Sequence, residues 1–317
     1  MNKPNTADHR MPLIVLTGFL GAGKTTLLNR YLKTPGGSGT AVLVNEFGDV
    51  DVDGAVLGAA LGPNQLMNLP NGCVCCEVQE DLAAALLDLP ARRQSEGLNA
   101  CIIETTGLAD PGNILRGVAH DPRLKEEFWL AATICVASAT AISVQADKYV
   151  EAAEQIVLAD RIIISKSDLT DSDALAACEA ELRARNPIAE IMLARDPGQS
   201  LPFSPLVRTA SVPHVHAHNH THGIATFSVD IPGPLNRDLF RDVFSFWIMR
   251  HAERLLRVKG ILEFADDPML HLMNITHDVC TVEPLETATG PSPLVFIGLD
   301  LPQDEIRRDL ERCSTIV

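Results

Sequence analysis

The chain has 317 residues, of which 46% are apolar, enough for about two packed domains and too much for a disordered polymer. A formal charge of −15 argues against a nucleic-acid partner, which needs a basic stripe. The apolar run Met11 to Leu20 is too short to span a bilayer and continues into a glycine-rich loop, so it reads as a buried strand. No targeting segment is visible, so no membrane partner and a cytoplasmic location are expected.

Six near-continuous apolar runs read as strands buried on both faces: Leu13 to Thr17, Ala41 to Val44, Ala100 to Ile103, Ala132 to Val136, Arg161 to Ile164 and Ile188 to Leu193. Helical patterns lie between them at Thr25 to Leu32, Glu80 to Leu89, Ala146 to Leu158 and Ser172 to Arg185. That alternation predicts an α/β fold with a mostly parallel, helix-covered sheet. The pattern breaks at Pro202 to Pro213, and five histidines follow at every second position from His214 to His222, as in a linker that could scavenge metal. Beyond it Ile224 to Ile231 and Leu294 to Leu299 read as strands. Leu239 to Val258 and Asp304 to Arg312 read as helices, which predicts a smaller α+β domain.

Gly18-Phe19-Leu20-Gly21-Ala22-Gly23-Lys24-Thr25-Thr26 meets the phosphate-loop template Gly-x4-Gly-Lys-[Ser/Thr] between a strand and a helix. Backbone N–H groups from Gly21 to Thr26, Ala22 and Gly23 included, would converge on phosphates. Lys24 would neutralise β/γ oxygens and the Thr25 hydroxyl would hold Mg²⁺. Ile102-Ile103-Glu104-Thr105-Thr106-Gly107 has the form of a second phosphate-sensing element. Glu104 could orient Mg²⁺ or its water, and Gly107 could offer its N–H to the γ-phosphate. Ser165-Lys166-Ser167-Asp168 resembles the guanine-reading Asn-Lys-x-Asp, with Asp168 accepting guanine protons and the Lys166 stem packing on the base. GTP is therefore favoured over ATP.

Cys73, Cys75 and Cys76 put three thiols within four residues. Such a set offers soft ligands for Zn²⁺, with a fourth N or O ligand needed for a tetrahedron. A redox switch is the alternative use of close thiols. Asn45-Glu46-Phe47-Gly48-Asp49 could bring oxygen ligands to the same edge, Asp49 to the metal, and Glu46 to the metal, to Mg²⁺ or to a water. His120 is a weaker candidate. The other five cysteines, Cys101, Cys135, Cys178, Cys280 and Cys313, read as small core residues.

These motifs, with Glu104-Thr105-Thr106-Gly107-Leu108-Ala109-Asp110-Pro111, Ala159-Asp160-Arg161, Arg254 to Gly260 and Val295-Phe296-Ile297-Gly298, resemble those of the CobW-type metallochaperone GTPases, nearest the YjiA-like branch. The resemblance implies a P-loop GTPase domain over 1–208, a His-rich linker over 209–222 and a CobW C-terminal domain over 223–317. It further implies slow GTP hydrolysis, Zn²⁺ binding with Co²⁺ or Ni²⁺ as other candidates, and delivery to a client metalloprotein. A homodimer is compatible with it. Ser165 departs from the family's common Asn. A redox-sensitive phosphotransferase and a metal-responsive GTP-binding protein without turnover are the alternatives.

Overall fold

The computed structural model describes residues 9–44, 66–68, 76–194, 212, 213, 215, 218–231, 233–285 and 290–314. Its first sheet has the order β3-β2-β4-β1-β5-β6-β7. The strands are β1 Met11–Thr17, β2 Thr40–Val44, β3 Leu66–Asn68, β4 Ala100–Glu104, β5 Phe128–Ser138, β6 Arg161–Ser165 and β7 Glu190–Leu193. The pairings of β1 with β4 and β5, of β2 with β3 and β4, and of β5 with β6 are parallel. Every residue of β2, β4 and β6 is buried, because helices cover both faces and leave no polar side to alternate with.

Two expected helices come out differently. The pattern at Glu80 to Leu89 is the middle of a longer helix, Cys76–Glu96. The pattern from Ala146 to Leu158 is two helices, Ile142–Lys148 and Val150–Val157, because Tyr149 between them is extended at φ −123° and ψ 124°. Two further helices, Pro111–His120 and Pro122–Glu127, each start on a proline behind a capping aspartate. Asp110 accepts from Gly112 N at 2.7 Å and Asp121 from Arg123 N at 2.9 Å.

The second sheet has the order β12-β11-β10-β13-β9-β8, and its paired strands run antiparallel. Its strands are β8 His218–Asn219, β9 Ile224–Val229, β10 Leu255–Phe264, β11 Asp267–Thr276, β12 Val279–Leu285 and β13 Leu294–Leu299. Helix Arg237–His251 contributes Phe240, Phe244 and Trp247, and helix Gln303–Cys313 contributes Ile306 and Leu310, to one core with Phe227, Phe264 and Phe296. The helix expected to reach Val258 ends at His251. Leu255 to Val258 instead start β10, where Leu255 pairs with Gly298. A Cβ at Gly298 would lie 2.4 Å from the Arg254 carbonyl, so only glycine admits that approach.

Of the expected linker, the described residues lie within the fold and do not form a free tether. His218 and Asn219 pair with Thr226 and Ala225, Val215 N donates to Ser228 Oγ at 3.1 Å, and Val212 is buried with Ile188 and Ile297. His214 and His216 lie outside the described residues. By contacts, β1 to β6 group in one compact unit. Helices Ile142–Lys148, Val150–Val157 and Ser172–Arg185 group with the second sheet in another, which cuts across a division at residue 208. Among the described residues no helix is long and apolar enough to cross a membrane.

Candidate functional site

The order of the first sheet reverses around β1, which has β4 on one side and β5 on the other. Open parallel sheets bind ligands at the carboxyl ends of strands where the order reverses. The chain leaves β1 at Thr17 and turns through Gly18 to Gly23 before helix Lys24–Leu32. Gly18 has φ +142°, and a Cβ there would meet the Val136 carbonyl at 2.3 Å. Gly21 and Gly23 hold φ +70° and +96°, a region that costs other residues strain. Gly23 is the N-cap and contributes no side chain, so backbone N–H groups line the helix start, as an anion site requires. Within the loop Ala22 is buried, and Thr26 is exposed in the first helical turn.

Lys24 Nζ donates to the Gly18 carbonyl at 2.8 Å, which keeps the ammonium across the loop. Thr25 Oγ1 donates to Glu104 Oε1 at 2.6 Å, and Glu104 is only 4% exposed. The register of β1 and β4, Leu16 opposite Glu104, sets that bond. Thr105 N donates to the Leu16 carbonyl at 2.9 Å and Thr105 Oγ1 to Thr17 Oγ1 at 3.0 Å, extending the junction. Gly107 lies against the phosphate loop, since a Cβ there would come within 2.7 Å of Leu20 N. The structure thus brings Gly18, Lys24, Thr25, Glu104 and Gly107 together.

On the other side β6 ends at Ser165, whose Oγ donates to the Ala22 carbonyl at 2.6 Å. Lys166, with a left-handed φ of 55°, donates its Nζ to the Gly21 carbonyl at 2.7 Å. Asp168 follows in the short turn Ser167–Leu169 and is exposed. The Ser165 bond was not foreseen. The only signal for it in the sequence is the replacement of a long amide by a short hydroxyl.

Glu46, Asp49, Cys73 and Cys75 lie outside the described residues. Cys76 is the first residue of helix Cys76–Glu96. That helix ends three residues before β4 begins, at the amino edge of the sheet. Its 21 residues cover about 30 Å, so its start faces the carboxyl edge, where the phosphate loop lies. Among the described residues no three His, Cys, Asp or Glu side chains gather as a metal set, and His120, exposed at its helix end, joins none. Burial pushes the Cys135 thiol up to about 12 and the Cys178 and Cys313 thiols up to about 11, which suits core packing and not ligation. Cys101 is shifted up in the same way. Cys280 differs in being exposed on β12.

Oxygen donors suit Mg²⁺, and the Thr25 hydroxyl and Glu104 carboxylate in contact at the loop are a donor set of that kind.

Comparison with known proteins agrees with this fold. Residues 12–193 match the model of the CobW/HypB/UreG nucleotide-binding domain, and residues 224–314 match that of the cobalamin synthesis protein cobW C-terminal domain. The zinc chaperone YjiA of Escherichia coli is 31% identical over 307 residues, covering 92% of this chain and 95% of that protein. The zinc-regulated GTPase metalloprotein activator 1 of Schizosaccharomyces pombe is 34% identical over 187 residues, 57% of this chain and 45% of that protein. The zinc-bound YjiA GTPase structure from Escherichia coli superposes with a TM-score of 0.71 at 25% identity, over 96% of this chain and 99% of that one. With a nucleotide-binding model matched across most of the first sheet and a C-terminal model matched across the second, the chain belongs to the CobW/HypB/UreG family.

Proposed function

We propose that the protein is a GTP-hydrolysing metallochaperone that holds a divalent metal, Zn²⁺ before Co²⁺ or Ni²⁺, at Cys73, Cys75 and Cys76 and delivers it to a client metalloprotein. The observation that carries this reading is the start of helix Cys76–Glu96 on the same sheet edge as the phosphate loop. The names of the relatives, a zinc chaperone and a zinc-regulated GTPase, support it.

Gly21, Ala22, Gly23 and Thr26 would present N–H groups to the phosphates, and Lys24 would leave the Gly18 carbonyl for β/γ oxygens. Mg²⁺ would be held by the Thr25 hydroxyl, with Glu104 orienting it or its water, and when bound it supplies charge neutralisation for phosphoryl transfer. Gly107 N–H would sense the γ-phosphate. Glu46 would orient the attacking water. Lys166 would pack on guanine and Asp168 would accept its N1 and N2 protons. Thiolates are soft donors that suit Zn²⁺. Asp49 would supply an oxygen ligand. Binding of GTP would order the Asn45 to Asp49 loop and shape the Cys73, Cys75, Cys76 site, and hydrolysis would loosen the metal for transfer.

Steady-state phosphate release with and without Zn²⁺ tests the reading. It predicts slow, Mg²⁺-dependent GTP turnover that changes with bound Zn²⁺. Turnover of many per second with a small acceptor would indicate a phosphotransferase. Absence of turnover under every metal condition would leave only a GTP-binding protein.

A further inference from the structure

We infer that Ser165 is a positioning residue that clamps the phosphate loop and leaves the N7 edge of the base unread. This inference rests on the guanine assignment above and concerns how that site chooses its base. A serine hydroxyl has one proton to donate and otherwise only accepts. In this structure the proton is committed to backbone carbonyls. Ser165 Oγ lies 2.6 Å from the Ala22 carbonyl and 3.3 Å from that of Ala137, and the residue is 8% exposed. Guanine N7 and O6 are both acceptors, so a hydroxyl whose proton is spent has nothing to give them.

The longer amide of an asparagine has two N–H groups and could serve a carbonyl and the base together. Serine cannot, and the choice of guanine then falls on the Watson–Crick edge. The Lys166 contact adds a second clasp one residue on, from Nζ to the Gly21 carbonyl at 2.7 Å. Two successive residues at the end of β6 therefore fasten two successive carbonyls of the loop. Lys166 itself holds a left-handed φ of 55°. Ser165 thus contributes to affinity through the order of the phosphate loop and contributes nothing to recognition of N7.

Calorimetric titration of the full chain in Mg²⁺ buffer with GDP, 7-deaza-GDP and ADP tests this, using wild type, Ser165→Ala and Ser165→Thr. Wild type is expected to bind GDP and 7-deaza-GDP within about twofold of each other, since no donor to N7 is lost. Ser165→Ala should weaken both by the same factor, about fivefold, and Ser165→Thr, which keeps the hydroxyl, should restore both. A tenfold loss on 7-deaza-GDP by wild type would overturn the inference, as would a Ser165→Ala variant that binds both nucleotides as wild type does. Equal binding of GDP and ADP by wild type would be a different failure, that of the guanine assignment, and would remove the inference with it.

Discussion

Lys24 and Thr25 are neighbours in sequence but turn to different partners, the Gly18 carbonyl and the Glu104 carboxylate. Each bond is made to a group that nucleotide or Mg²⁺ would replace, so the site is preformed around its own side chains. Thr25→Ala should lower Mg²⁺-dependent GTP turnover by about a hundredfold while leaving the thermal midpoint within a few degrees, which phosphate release and a melt would check. Gly18→Ala should also destabilise the fold, by about 2 kcal/mol or more, because its Cβ would be driven into the Val136 carbonyl. A Gly18→Ala chain with wild-type stability would mean that the loop can move away from β5. At this scale the motif residues were legible because their spacing is local. The Ser165 bond was not, because it joins residues 143 positions apart and depends on strand order.

Among the elements, helix Cys76–Glu96 connects the two halves of the proposed chemistry, since its start carries Cys76 and its end leads into β4 and Glu104. If the three clustered thiols hold Zn²⁺, chelation should expose three fast-reacting thiols that Zn²⁺ then protects. Cys101, Cys135, Cys178 and Cys313 should stay slow in both states because burial keeps them protonated. Timed alkylation at pH 8 with mass readout would show it, and equal labelling with and without metal would count against the site. Helix Pro111–His120 depends on its cap, so Asp110→Ala should cost about 1 kcal/mol in urea denaturation. Buried parallel strands were legible as unbroken apolar runs. The β10 to β12 meander was not, because Leu255, Leu256 and Val258 continue the spacing of the preceding helix and only pairing with β13 and β11 decides their state.

Across the whole molecule, the C-terminal sheet shares a compact unit with three helices that flank the nucleotide-binding strands in sequence. Arg257, 1% exposed, donates to the Leu158 carbonyl and forms an ion pair with Asp160, the residue before β6. Burial holds the neighbouring Lys259 ammonium below its ordinary pKa, with Asp160 opposing that shift and Arg257 adding to it. Removing that carboxylate takes an ion-pair partner from a buried guanidinium, so Asp160→Ala should cost about 3–5 kcal/mol, and less when combined with Arg257→Met. Denaturation midpoints of the two variants would decide it. The parallel α/β class and the existence of a second domain were legible from the alternation of runs. That Val212 is buried and that His218 and Asn219 pair with β9 was hidden behind a composition that suggests a tether.

If one two-state element serves both ligands, metal must alter nucleotide affinity as much as nucleotide alters metal affinity. The most direct test is Zn²⁺ affinity by chelator competition in GDP and in a non-hydrolysable GTP analogue, for wild type and a Cys73/Cys75/Cys76→Ser variant. A GTP-gated chaperone predicts affinities that differ by about tenfold between the nucleotides, and a difference that vanishes in the variant. Equal affinities in the two nucleotide states would contradict the coupling and separate the thiols from the phosphate loop.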